Sequence, residues 1–298
     1  MRLLITGAGG QLGRTLQRQA APHFEVTATT REQLDIGDAE AVQTVFRATR
    51  PALVINAAAY TAVDRAESEP ELAQRVNADG AAHMAREAAR TGARLLHVST
   101  DFVFDGQACA PYPPDAPTRP LGVYGRSKRD GEQAVMQHAP EQATILRTAW
   151  VYGPGGHNFV RTMLRLLAEK PALSVVSDQI GTPTHTEGLA AALLALGGID
   201  ASRGCILHWT DSGVASWYDL AMATRTLAAR RWPKRPLAEI TPIPTRDWPT
   251  PAHRPPYSVL DTAATRELVG TPPHWQVRLE RALLHDAAEE WLPEAAIG

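Results

Sequence analysis

The chain has 298 residues, of which 44% are hydrophobic and 21% charged, enough apolar material for one large or two interlocked globular domains and too much for a disordered chain. Its 30 lysines and arginines against 32 aspartates and glutamates leave a formal charge of −2, which argues against a nucleic-acid backbone as the main partner. Cys109 and Cys205 lie far apart with no metal-ligand spacing, and no apolar run reaches the ~18 residues of a membrane helix, so the expectation is a cytoplasmic protein without a disulfide framework, a metal site or a membrane partner.

Leu3-Leu4-Ile5 reads as a first strand, its apolar run too short for a signal peptide. It turns at Gly7 into a helix that starts at Gln11. Phe24-Glu25-Val26-Thr27-Ala28 is a second strand, with a helix from about Asp38. Leu53-Val54-Ile55 is a third, followed by an alanine-rich helical stretch over 71–90. Leu95-Leu96-His97-Val98 is a fourth, then comes a helix over 124–138, then Thr144-Ile145-Leu146. Short continuous apolar runs that alternate with helices predict an α/β fold, a doubly wound parallel sheet of the Rossmann type.

Past Trp150 the rhythm changes. Prolines cluster within 231–236, 242–256 and 272–273, and proline cannot donate to a ladder. A smaller, loop-rich lobe is expected there, with helices near 159–169, 187–196, 216–230 and 276–290. The expected division is a dinucleotide-binding domain over 1–150 and a substrate lobe over 151–298, interlaced with the first.

Gly7-Ala8-Gly9-Gly10-Gln11-Leu12-Gly13 joins the first strand to the first helix. Gly7 permits the sharp turn, Gly10 lets a pyrophosphate approach the backbone, and Gly13 lets the helix pack close to the sheet. The free amides of the helix start, Gln11 and Leu12 among them, then face the phosphates. The alternative is a tight turn whose glycines are steric only. The second strand ends Ala28-Thr29-Thr30-Arg31, with no carboxylate until Glu32. A carboxylate would repel a 2′-phosphate, whereas Arg31 would pair with one, so NADPH is the expected cofactor and NADH is left open. A solvated surface charge is the other reading of Arg31. Asp35 and Ile36 are candidates for the adenine edge, with a turn or cap as the other reading of Asp35.

Tyr124 and Lys128 form a YxxxK pair, one turn apart on one helix face. Thr100 follows the fourth strand, at the carboxyl end where open α/β sheets place ligands. A carbonyl that receives a hydride needs a proton donor beside it. The lysine ammonium is expected to pull the tyrosine below its ordinary value of about 10, and Thr100 to orient the carbonyl oxygen.

Together these residues resemble the extended short-chain dehydrogenase/reductases. Longer segments narrow the resemblance to the dTDP-4-dehydrorhamnose reductases: Leu34-Asp35-Ile36, the run from Asn56 to Glu67, the run from Ser99 to Gly106, the run from Arg147 to Gly153, the run from Asn158 to Arg165, the run from Ser177 to Thr184, Ser216-Trp217-Tyr218-Asp219 and the run from Pro249 to Pro255. The similarity extends from residue 1 to about 280. It implies NAD(P)H-dependent reduction at C4 of dTDP-4-dehydro-L-rhamnose, the last step toward dTDP-L-rhamnose, with Tyr124 as proton donor beside Thr100 and Lys128. It places Val63, Phe102 and Trp150 on the sugar, with Thr100 and Asp101 beside them, and runs Ala57, Ala58 and Ala59 past the cofactor. Asn158, Arg161, Gln179 and Arg254 are further candidates for the nucleotide-sugar side. Surface ion pairs are the other reading of Arg161 and Arg254, a helix N-cap that of Asn158, and core packing that of Trp150 and Phe102.

Two positions depart from the pattern. Phe102 stands where tyrosine is common, and His253 where a second arginine is common. The implied partner is a small nucleotide sugar, and a homodimer is left open. Two other readings stand beside this one: a related nucleotide-sugar epimerase or dehydratase, and a non-catalytic dinucleotide-binding regulatory subunit.

Overall fold

A computed structural model describes residues 1–285 and 291. The first apolar run is β1 (Arg2–Thr6), and the glycine loop leads from it into α1 (Gln11–Ala20). Next come β2 (Glu25–Thr29), α2 (Ala39–Thr49) and β3 (Leu53–Asn56). Asp38 caps α2 by accepting from the Glu40 and Ala41 amides, which satisfies donors that the first turn leaves free. After β3 the chain forms α3 (Val63–Ala66), α4 (Pro70–Gln74), a π turn at Arg75–Asp79 and α5 (Gly80–Thr91).

The alanine-rich stretch is therefore not one regular helix. At the π turn Asn77 points inward, accepts from the Tyr60 amide at 2.8 Å and donates to the Ser127 hydroxyl at 3.0 Å. Those bonds hold a widened turn that helix propensity alone does not favour.

β4 (Arg94–Thr100) ends in a 3₁₀ turn, Asp101–Val103, and α6 (Val123–His138) and β5 (Ala143–Thr148) follow. The second half contains β6 (Val151–Tyr152), α7 (Phe159–Glu169), β7 (Ala172–Val176), β8 (Ile180–Gly181), β9 (Thr184–His185) and α8 (Thr186–Leu196). It continues with β10 (Ile206–His208), β11 (Ala215–Ser216), α9 (Trp217–Arg231), β12 (Glu239–Ile243), α10 (Ala263–Val269) and α11 (Trp275–Leu284). The expected continuation of the last helix to Glu290 lies outside the described residues.

The main sheet runs β2-β1-β3-β4-β5-β10, with every pair parallel. All residues of β3 and β5 are buried, because helices cover both faces. One face packs Leu3, Ile5 and Leu207 under α1 and α8, and the other packs Leu4, Val54 and Leu95 under α2, α5 and α6. The second half thus supplies an edge strand and a covering helix to the first. Away from that sheet it is less irregular than its prolines suggest. Three two-stranded pairs, β6-β9, β7-β12 and β8-β11, frame it. Pro242 sits within β12, which a two-stranded edge tolerates. No helix among the described residues is long and apolar enough to cross a membrane.

β1 lies between β2 and β3, so the connections leave it in opposite directions. The crevice past the carboxyl ends of β1 and β3 is the switch point at which such sheets bind ligands.

Candidate active site

Gly7 has φ +71°, and a Cβ on it would lie 2.7 Å from the backbone of Ala57 and Ala58. The glycine loop and Ala57, Ala58 and Ala59 therefore run side by side in the crevice. A Cβ on Gly13 would collide with the Gly7 carbonyl, so the third glycine is what seats α1 on the loop. Gly10 is the N-cap of α1 and has no side chain to cap it, which leaves the amides of Gln11, Leu12 and Gly13 for an anion. A crevice that a Cβ would fill and an uncapped helix start fit a dinucleotide pyrophosphate. The Gln11 side chain is engaged elsewhere: it donates to the Val151 carbonyl at 2.9 Å and accepts from Asn158 Nδ2 at 3.1 Å.

Arg31 is exposed just past β2. Asp35 accepts from the Gly37 amide at 2.9 Å and pairs with Arg75 at 2.8 Å. Burial pushes its carboxyl up, but those hydrogen bonds and the charges of Arg75 and Arg31 outweigh it and hold it below the usual range. Ile36 is a core residue, packed against Gly80 of α5.

Thr100 ends β4 and caps the 3₁₀ turn. Its hydroxyl accepts from the Phe102 amide at 3.1 Å and donates to Asp101 Oδ1 at 3.0 Å. Tyr124, in the first turn of α6, is buried with its hydroxyl beside Thr100 and its ring edge-on to Phe102 at 5.6 Å. Glu67 fixes the start of α6 by accepting from the Val123 amide at 2.7 Å. Burial pushes Tyr124 up to about 12, opposed by the Thr100 bond and reinforced by the Asp101 charge. Burial also raises Asp101, to about 6, against its hydrogen bonds from Ser258 and Thr100. Tyr124 is therefore a protonated donor at neutral pH.

Lys128 is fully buried one turn on. Its Nζ donates to the Val98 carbonyl at 2.8 Å and lies 3.5 Å from His97 Nε2. Burial lowers it to about 8, against the charge of Glu132, which raises it. The expected lowering of Tyr124 by Lys128 is not what the structure has. The ammonium turns to the β4 backbone, and burial governs the phenol.

Gly125 makes this arrangement possible, because a Cβ there would overlap the Phe102 carbonyl oxygen. Gly125→Ala is expected to cost about 1–3 kcal/mol and to lower kcat as well, since the displaced helix carries Tyr124 away from Thr100. Thermal melts and steady-state rates check this. An unchanged kcat would show that the close approach is dispensable.

On the substrate side, Val63 and Phe102 pack with Tyr60 and Tyr124 in one apolar cluster, and Asp101 is buried behind them. Trp150, at φ +46°, stacks on Trp217 with centroids 3.6 Å apart. Trp217 Nε1 donates to Gln179 Oε1 at 3.1 Å, and Gln179 Nε2 donates to Thr245 Oγ1 at 3.0 Å. Asn158 is the N-cap of α7, accepting from the Arg161 amide at 3.0 Å while it also bonds to Gln11. Arg161 donates to the Gly156 carbonyl at 3.3 Å. Arg254 forms a two-pronged pair with Asp64 at 3.0 and 2.7 Å and also bonds to Thr250.

The structure thus gathers Thr100, Asp101, Phe102, Tyr124 and Val63 in one place. Trp150 and Gln179 join a second wall through Trp217, and Asn158 and Arg161 adjoin the glycine loop. Glu67, Trp217, Asp64 and Asn56 lie inside the motifs that carry the resemblance without standing out as site residues, whereas His97 sits unmarked within an apolar run.

The family described as RmlD substrate binding domain matches residues 1–287. A dTDP-4-dehydrorhamnose reductase from Streptomyces griseus is 45% identical, over 93% of this chain and 91% of its own length. A spore coat polysaccharide biosynthesis protein from Bacillus subtilis is 41% identical, over 95% of this chain and 96% of its own. The crystal structure of a dTDP-4-dehydrorhamnose reductase from Bacillus anthracis in complex with NADP superposes with a TM-score of 0.88 at 35% identity, covering 95% of this chain and 98% of the other. With the glycine crevice, the Thr100–Tyr124 contact and likeness of this extent, the chain belongs to the RmlD substrate binding domain family, that of the dTDP-4-dehydrorhamnose reductases.

Proposed function

We propose that this protein is an oxidoreductase that reduces the C4 keto group of dTDP-4-dehydro-L-rhamnose to dTDP-L-rhamnose with NADPH, the closing step in making that nucleotide sugar. The observation that carries the reading is the buried Tyr124 hydroxyl beside Thr100 at the carboxyl end of β4, on the side of the sheet where the glycine loop follows β1. The bound nicotinamide supplies the hydride. Thr100 orients the substrate oxygen, and Tyr124 gives it a proton as the carbonyl becomes an alkoxide. Val63, Phe102 and Trp150 hold the sugar, with Asn158, Arg161, Gln179 and Arg254 toward the nucleotide. Residues 1–150 serve the cofactor and 151–298 the nucleotide sugar, and the enzyme works in the cytoplasm.

The test is stoichiometric NADPH oxidation with dTDP-4-dehydro-L-rhamnose. An epimerase or dehydratase would convert a nucleotide sugar with no net cofactor use, and a regulatory subunit would bind the dinucleotide without turnover.

Cofactor choice gives a second test. Arg31→Ala is expected to raise the KM for NADPH by roughly 10- to 100-fold, the loss of one charge-assisted contact of about 1.5–3 kcal/mol, and to leave NADH unaffected. Equal KM changes for both cofactors would refute a 2′-phosphate contact at Arg31.

A further inference from the structure

Thr6, Asn56 and His97 stand in one row across β1, β3 and β4, paired Thr6 to Asn56 and Asn56 to His97 in the strand register. All three are buried. The Thr6 hydroxyl donates to Asn56 Oδ1 at 2.6 Å, Asn56 Nδ2 meets His97 Nδ1 at 3.1 Å, and His97 Nε2 lies 3.5 Å from Lys128 Nζ.

Hydrogen-bond roles along this row are not free. The backbone amide of Ala58 also donates to Asn56 Oδ1, at 3.3 Å. A backbone N–H only donates, so the oxygen of Asn56 must face it and the NH2 must face His97. That NH2 is likewise only a donor, so His97 Nδ1 accepts and carries no proton. Full burial and the charge of Lys128 keep His97 neutral, well below its ordinary range. Its single proton is therefore on Nε2, directed at Lys128. An ammonium has no lone pair to receive that N–H, whereas a neutral amine has one.

We propose that the Thr6–Asn56–His97 row is a positioning device that locks the His97 tautomer and thereby biases Lys128 toward its neutral amine. The inference rests on the reductase reading, in which Lys128 belongs to the site. The other charged or titratable groups around Lys128 are few. On α6 they are Tyr124 and Glu132; past the end of β4 there is Asp101, which acts on Tyr124. Glu132 is paired with Arg147 of β5, and its charge still raises Lys128. The row itself contributes no charge, only the orientation of one N–H. Lys128 then gains and loses its proton near neutral pH. The row sets the pH at which that happens.

Two variants separate this from a packing role. In His97→Gln the amide is free to turn its oxygen toward the ammonium. In Asn56→Asp the carboxylate accepts from Ala58, Thr6 and His97 Nδ1–H together, which moves the bare nitrogen of His97 to face Lys128. Both variants are expected to raise the titration midpoint of Lys128, followed by 13C NMR of the cofactor-free enzyme, by about one pH unit, a tenfold gain in proton affinity. 15N NMR of the parent should show His97 protonated at Nε2 and bare at Nδ1. A proton on Nδ1, or an unmoved midpoint in folded His97→Gln, overturns the proposal. The NMR readouts need no turnover, so a parent with the expected tautomer and midpoint but no reductase activity would refute the functional reading instead.

Discussion

Replacing Tyr124 by phenylalanine is expected to lower kcat by roughly 10²–10⁴-fold, the range for a lost general acid, and to leave NADPH affinity within a few-fold. The change removes one oxygen and little else. The ring keeps its edge contact with Phe102 at 5.6 Å and its place among Val63 and Tyr60. No orphaned polar group results, because Thr100 already donates to Asp101 and accepts from the Phe102 amide. Stability should therefore hold, and a melting curve near the parent's would show that the rate loss is chemical. Acidity adds to the argument. With Tyr124 up at about 12 and Asp101 at about 6, the phenol keeps its proton throughout the neutral range, and the carboxylate formed above pH 6 holds it there more firmly. Single-turnover reduction and fluorescence titration of the cofactor measure the two effects separately. A variant that turns over within a few-fold of the parent would remove Tyr124 from the role of proton donor.

The sequence makes β1, β3, β4 and β5 visible for one reason: buried on both faces, they read as apolar runs, whereas β2, half-buried at the sheet edge, shows only as a short alternating stretch. β10 has the same environment but only three residues, Ile206–His208, too short for any run to stand out. The paired strands of the second half are mostly two residues long and pair through register rather than through local pattern. Thr100, Tyr124 and Lys128 are legible because a helical spacing and a strand end suffice to predict that they converge. The direction of the Lys128 ammonium is not legible. It depends on the Val98 carbonyl and His97, which come from a strand that looks wholly structural. Asn56 and His97 meet only because β3 and β4 align them, 41 positions apart in sequence. The π turn at Arg75–Asp79 is hidden similarly: alanine favours a regular helix there, and it is the three-way bonding of Asn77 to Tyr60 and Ser127 that decides otherwise.

Arg147→Ala is expected to destabilise the protein by about 3–5 kcal/mol, the cost of stranding one partner of a buried ion pair. Arg147 and Glu132 have side chains only 3% and 4% exposed and meet through two bonds, at 2.8 and 2.7 Å. The guanidinium also donates to the Pro114 carbonyl at 3.0 Å and lies over the Phe104 ring, while Glu132 accepts from Ser99 at 2.5 Å. The pair thus clamps α6 to β4 and β5 directly behind Thr100 and Lys128. Removing the arginine leaves a carboxylate in the core with a single hydroxyl to solvate it. Replacing both partners by apolar residues, as Glu132→Leu with Arg147→Met, strands no charge and should recover much of the lost stability. The double variant should nevertheless titrate differently at Lys128. Glu132 lies one turn from it and raises its proton affinity, so its loss moves the lysine midpoint down. Chemical denaturation of the two singles and the double, with a 13C NMR titration of the lysine in the double, measures both effects. If Arg147→Ala costs under about 1 kcal/mol, the range of an exposed pair, the ion pair does not hold the floor of the site.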